Sequence, residues 1–131
     1  MLHHNTDFFQ THSLKYIEMA LRTDRIETLN NPDGYGKRTG DCGDTVEFFL
    51  TCKDNIIESA SFHVQGCMNT TACCNTVAKF IEKKTIKAAW DISPEKINKF
   101  LETLPEDHFH CAELAVGALY LALTDLKTKE N

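Results

Sequence analysis

Apolar residues recur along this chain in two rhythms, and the change from one to the other outlines the architecture. In "THSLKYIEMALR", Leu14, Ile17 and Leu21 stand at i, i+3 and i+7, which predicts an amphipathic helix buried along that stripe. The next stretch, "TDRIETLNNPDGYGKRTGDCG", has no period; its Asn-Pro-Asp-Gly and scattered glycines predict an irregular connection. A period of two then sets in. "TVEFFLTC" places Val46, Phe48, Leu50 and Cys52 on one face, with Glu47 and Thr51 on the other. "KDN" turns the chain, and "IIESASFHVQG" returns with Ile56, Glu58, Ala60, Phe62 and Val64 sharing a face, an antiparallel pair.

Helical spacing resumes at "GCMNTTACC". Asn69, Thr70 and Thr71 are candidate caps there, and Val77, Phe80 and Ile81 supply the apolar stripe. A short helical piece is expected in "IKAAWDI". The next start is plain: Ser93 as N-cap, Pro94 at the first helical position and Glu95 in the first turn, then Ile97, Phe100, Leu101 and Leu104. "LPEDHFHC" interrupts the chain before a last helix, Ala112 to about Leu126, apolar nearly all round and so expected to be largely buried. Helices before and after a compact run of strands predict an α+β fold, a small antiparallel sheet of about three strands with helices packed against it. Residues 1–131 read as a single domain, with 1–12 a flexible N-terminus.

Composition narrows the function. The chain is 42% hydrophobic and 25% charged, with fourteen basic and nineteen acidic residues and a net charge of −5. No stripe of Lys and Arg gathers anywhere, which argues against nucleic acid as a partner. The most apolar run, "LAVGALYLAL", is far short of the ~20 residues a bilayer requires, and the N-terminus lacks the features of a secretory signal. No membrane partner and a cytoplasmic location are expected.

That location changes how the six cysteines are read. In a reducing compartment, metal or reactive-thiol roles gain weight over disulfides, and no C-x-x-C pair points to a zinc finger or a thioredoxin-like site. Cys42 sits in the glycine-rich "GDCGDT" before a strand, Cys67 where a strand gives way to a helix, and Cys111 at the start of the last helix, after His110. Cys67 and Cys111 thus lie near helix N-termini, where a thiol's pKa is expected to fall. Asp44, two residues past Cys42, would point to the same side if that segment is extended. Thiolates suit zinc and iron–sulfur clusters, whereas a carboxylate is a poor partner for a soft site, and a permanent cluster would favour four cysteines. Three cysteines with Asp44 and His110 therefore describe a site that can hold a cluster and also release it.

In these residues the chain resembles the IscU/NifU-type iron–sulfur cluster assembly scaffolds, from about Tyr16 to the end of the last helix. The anchors are "CGDTVEF", "FHVQGC" ending at Cys67, and "LPEDHFHC" with the pair His110 and Cys111; "NNPDGYG" resembles the family's lead-in. The resemblance implies a NifU N-terminal-like domain that is a scaffold and carrier, not a conventional enzyme. It implies a transient [2Fe–2S] cluster on Cys42, Cys67 and Cys111, completed by Asp44 or His110, and delivered to apo iron–sulfur proteins. Asp44 matches an aspartate associated with cluster lability, and Cys111 a cysteine that can receive persulfide sulfur. A cysteine desulfurase and an iron or electron donor are the implied partners.

The chain also departs from the pattern. Glu106, Asp107 and His108 follow "LP" where such scaffolds often carry Pro-Val-Lys, which puts hand-off to an Hsp70-type chaperone in doubt. The turn before Cys42 is two residues shorter than usual, and Met68 and Asn69 replace a common Gly-Ser. Zinc in the isolated protein, as in a zinc-binding sulfur-transfer protein of the same family, is the first alternative; a structural metal domain is the second, and a Cys–His nucleophilic enzyme using Cys111 ranks last. Among the remaining candidates, Cys52 and Trp90 read as core. Cys73 and Cys74, about 100° apart on a helix, cannot face one site equally.

Overall fold

The computed structural model describes residues 11–129. Helix α1 (Leu14–Leu21) precedes a three-stranded antiparallel sheet of β1 (Gly34–Thr39), β2 (Thr45–Lys53) and β3 (Ile56–Gln65), in the order β1-β2-β3. Helices α2 (Met68–Ile81), α3 (Ile86–Ala89) and α4 (Pro94–Leu101) follow, then a 3₁₀ turn (Glu106–His108) running into α5 (Phe109–Lys129). The chain is α+β, as its two rhythms predict. The expected flexible segment, residues 1–12, falls outside the described residues except for Thr11 and His12, and the His12 ring stacks on Tyr16 at 4.2 Å.

One continuous core lies between the sheet and the helices, with α5 across β1 and β2 and α2 against β3. Val46, Phe48, Leu50 and Phe62 are inaccessible on the strands and meet Val77, Ile81, Leu119 and Leu123 from the helices. The backbone of α5 comes so close to β1 that a Cβ on Gly36 would lie 2.4 Å from Ala118 O and Ala122 N, so only glycine fits. By length and composition alone α5 could cross a bilayer. Its apolar residues are accounted for by the core instead, with Leu114, Val116, Leu119, Leu123 and Leu126 all buried. It also begins earlier than expected, at Phe109, because the 3₁₀ turn feeds directly into it.

Several local expectations give way to packing. In α1 the buried residues are Tyr16, Met19 and Ala20, while Leu14 is 84% and Leu21 53% exposed. The stripe read from spacing is not the one that meets α2. The glycine-rich connection contains a strand, β1, whose register runs from Gly34 opposite Leu50 to Thr39 opposite Thr45. Its outer residues are exposed and its inner ones are partly glycine, so no alternation marks it. In β3 the register shifts opposite Thr51 and Cys52, leaving Glu58 as an extra residue; Ile57 rather than Ile56 is buried, and Glu58 is exposed. The N-cap of α2 is Cys67, not one of the three polar residues after it. Ser93 caps α4 as expected, accepting from Lys96 N–H. Trp90 is 39% exposed and stacks on Tyr120 instead of entering the core, and Cys52 is only half-buried.

Candidate metal centre

The hairpins carry the site. Antiparallel pairing of β1 with β2 closes at Thr39 and Thr45, so residues 40–44 must reverse the chain in five residues. They do so with Gly43 N–H donating to Gly40 O at 3.0 Å and Gly40 N–H to Asp44 O at 2.9 Å, Gly43 taking φ of 92°. This segment is not extended, and Cys42 and Asp44 do not share a side. Cys42 is exposed at the tip, whereas Asp44 lies against the start of α2, half-buried. β3, paired with β2 throughout, brings Gly66 and Cys67 to the same end of the sheet. A Cβ on Gly66 would stand 2.5 Å from Asp44 Oδ2, so this glycine makes room for the carboxylate.

Three predicted residues come together. One oxygen of Asp44 and the sulfurs of Cys67 and Cys111 lie within 4.8 Å of one another. The other two stay outside. His110 is exposed, its Nε2 3.8 Å from Cys111 Sγ, and it shares a cavity of about 400 Å³ with Cys42, Arg38, Asp41 and Glu113. The site thus has an inner trio and an outer rim.

The two inner thiols differ in acidity. Burial raises the Cys67 thiol, but hydrogen bonds from the Thr70 and Asn69 N–H groups and the Asn69 side chain, joined by the Thr70 hydroxyl when it turns from Asp44 to the sulfur, outweigh it and hold Cys67 below the usual range. At Cys111 the expected lowering reverses. Burial, reinforced by the nearby Cys67 and Asp44, pushes it up to about 12, and the Thr70 hydroxyl offsets this only in part. Its place in the first turn of α5 counts for less than its inaccessibility, which is complete. Cys73 and Cys74 are both fully buried in the core, each raised well above the ordinary thiol value by burial.

Two residues of the site carry no signature that sequence reasoning used for ligation. Thr70, read as a cap, is fully buried among the trio. Tyr16, from α1, donates to Asn69 Oδ1 at 2.5 Å; burial, and then the proximity of Cys67, Cys73 and Cys111, raise its phenol to about 12. Its only sequence signal was that Tyr16 sits opposite the stripe assigned to the core.

Residues 26–131 match the model of the NifU-like N-terminal domain family. An iron–sulfur cluster assembly scaffold protein of Archaeoglobus fulgidus, IscU 1, is 31% identical over 108 residues, covering 82% of this chain and 65% of that protein, so the chain spans just under two thirds of that relative's length. The scaffold protein IscU of Escherichia coli K12 is 34% identical over 91 residues, 69% of this chain and 70% of that protein. A NifU-like N-terminal structure from Brucella abortus superimposes with a TM-score of 0.71 over 89% of this chain and 94% of that one, at 19% identity, which speaks to the fold. The family match covers both hairpins, α2 and α5, and with them the trio and its rim: the chain belongs to the NifU-like N-terminal domain family.

Proposed function

We propose that this protein is a scaffold on which a transient [2Fe–2S] cluster is assembled and from which it is passed to apo-proteins. The observation that carries the reading is the trio itself, two thiols and a carboxylate converging from three separate elements at the positions the family resemblance singled out. Cys67, held below the usual thiol range, gives up its proton to a metal more readily than an ordinary cysteine does. Cys42 and His110, on the accessible rim, complete the ligand sphere when the cluster is bound, and Asp44 supplies the hard ligand that keeps it from being retained.

Iron and sulfur are substrates here, and their electrons must balance. Two sulfane sulfurs delivered as persulfide need four electrons to become sulfide. Two come from oxidation of two ferrous ions to ferric, so an external donor supplies the other two. A cysteine desulfurase, an electron donor and apo-acceptors are therefore the partners this reading requires. Cys111 is the candidate sulfur acceptor, and its complete burial means the site must open for the persulfide to reach it. Glu106 and Asp107 are exposed in the 3₁₀ turn before α5, presenting acids where the family resemblance implies a chaperone-docking cation.

Two thiols with one carboxylate also suit tetrahedral zinc, which makes the zinc-dependent sulfur carrier the second reading. Anaerobic reconstitution with ferrous iron, a desulfurase and cysteine separates the two. A labile [2Fe–2S] absorption spectrum with transfer to an apo-ferredoxin is expected. Stoichiometric zinc with persulfide on Cys111 and no cluster favours the carrier instead. In Asp44→Ala the cluster is expected to form and to persist longer than in the parent chain, because a carboxylate is a poor partner for a soft iron–sulfur site. Loss of cluster formation in this variant would contradict the lability role.

A further inference from the structure

The inner trio converges on the Thr70 hydroxyl. A threonine inside a helix commonly bonds back to a carbonyl one turn earlier, and three others in this chain do so: Thr76 to Ala72 O at 2.8 Å, Thr124 to Tyr120 O at 2.8 Å and Thr128 to Thr124 O at 3.0 Å. Thr70 stands in the first turn of α2, where the residue four back is Gly66, outside the helix. Its hydroxyl is turned instead to Asp44 Oδ2 at 2.8 Å, with Cys111 Sγ at 3.3 Å and Cys67 Sγ at 3.6 Å. It has one proton and three acceptors to choose from. The carboxylate is the shortest contact and the strongest acceptor of the three.

Asp44 has little else to hold it. Among the described residues, its other side-chain hydrogen bond comes from Cys67 N–H at 3.4 Å, and the Gly66 face against it provides space without a polar group. We infer that Thr70 is a positioning residue for Asp44, its buried hydroxyl presenting the carboxylate oxygen to the two sulfurs as a ready ligand atom. A carboxylate that ligates a metal is generally oriented by such an outer hydrogen bond, and losing the bond costs about 10- to 100-fold in affinity. The inference rests on the reading of Asp44, Cys67 and Cys111 as a metal-holding site.

The test is an anaerobic titration of the reduced, metal-free full chain with Co²⁺, following thiolate-to-cobalt charge-transfer absorption. Thr70→Val, nearly isosteric but without the hydroxyl, is expected to weaken Co²⁺ binding about 10-fold, and Thr70→Ser to restore it to within about 2-fold. In an Asp44→Ala background, Thr70→Val should add nothing, because the residue acts through that carboxylate. An undiminished affinity in Thr70→Val overturns the inference and leaves the metal-site reading intact. So does an equal loss with Asp44 already removed, or a failure of serine to rescue. A parent chain that binds no Co²⁺ overturns the metal-site reading and this inference together. If the valine variant does not fold, Thr70→Ala carries the same comparisons.

Discussion

Cys111 and Cys42 both stand where one element gives way to another, yet they meet opposite environments. Cys111 is fully buried in the first turn of α5, within reach of Cys67, Asp44 and Thr70. Cys42 is exposed at the tip of a five-residue turn, sharing its cavity with His110, Arg38 and Glu113. In the inner group Cys67 and Cys111 are held at the starts of α2 and α5, whose other residues form the core, and Asp44 by the foot of the turn where it meets α2. The outer group is held by a reversal of the chain and by the solvent-facing start of α5. On the proposed reading, one ligand set is thus split into an inner half that organises metal and an accessible half that admits and surrenders it. A site placed wholly on the core would be expected to hold its cargo; one wholly on loops would lack the precision to assemble it.

The largest blow to this division should come from beneath the inner half. Phe62 is inaccessible on β3, the strand that delivers Cys67, and packs against Phe48 with ring centroids 5.9 Å apart. Phe62→Ala is expected to cost about 3–5 kcal/mol in a urea unfolding series. Cys42→Ala should stay within about 0.5 kcal/mol, since nothing in the core leans on an exposed turn tip. A comparable loss from Cys42→Ala would erase the distinction between the halves.

Chemical reactivity sharpens it next. With its thiol pushed up to about 12 from 9.0, Cys111 has a thiolate fraction at neutral pH on the order of 10³ below that of a free cysteine, before burial is considered. Timed iodoacetamide labelling of the metal-free protein, read by peptide mass spectrometry, should modify Cys42 and Cys67 well before Cys111. Early labelling of Cys111 would mean that the inner half opens freely.

A third effect is on stability at high pH, and its sign follows from the raised groups. Cys73, Cys74 and Cys111 keep their protons in the folded state to higher pH than in the unfolded chain, where the thiol value is near 9. Above that pH the unfolded state binds fewer protons, so stability falls as pH rises. The contribution is fully present below about 9 and is lost progressively toward about 12, the window set by Cys111. Thermal unfolding from pH 8 to 11 should record a steady decline, and Cys73→Ala with Cys74→Ala should make it shallower while leaving the part due to Cys111. A flat profile in the parent chain would show that these thiols are not closed off in solution.

How much of this could be read along the chain depended on the distance over which each feature is decided. The strand pair and the Ser93–Pro94 helix start were legible, because alternation and capping are written in residues a few positions apart; Cys42, Asp44, Cys67, His110 and Cys111 could be named as candidates from their residue types, and the structure brings Asp44, Cys67 and Cys111 together. The face of α1 was not, because Leu14 and Tyr16 are both apolar enough to be buried, and the surface of α2 decides between them. Strand β1 escaped because glycines fill the positions where α5 presses closest, leaving no side chains to alternate. Glu58 shifted the phase of β3 by one residue, a change that only pairing with β2 exposes. The acidity of Cys111 followed the same pattern: a helix start predicts a lowered thiol locally, while burial contributed by other elements raises it. Thr70 is the extreme case. It meets Asp44 from 26 residues away and Cys111 from 41, and no local spacing records such a convergence. The sequence by itself determined which candidate ligands exist and which elements carry them. The tertiary structure decided which of them meet, because hydrogen bonds and burial depend on distance through space and not along the chain.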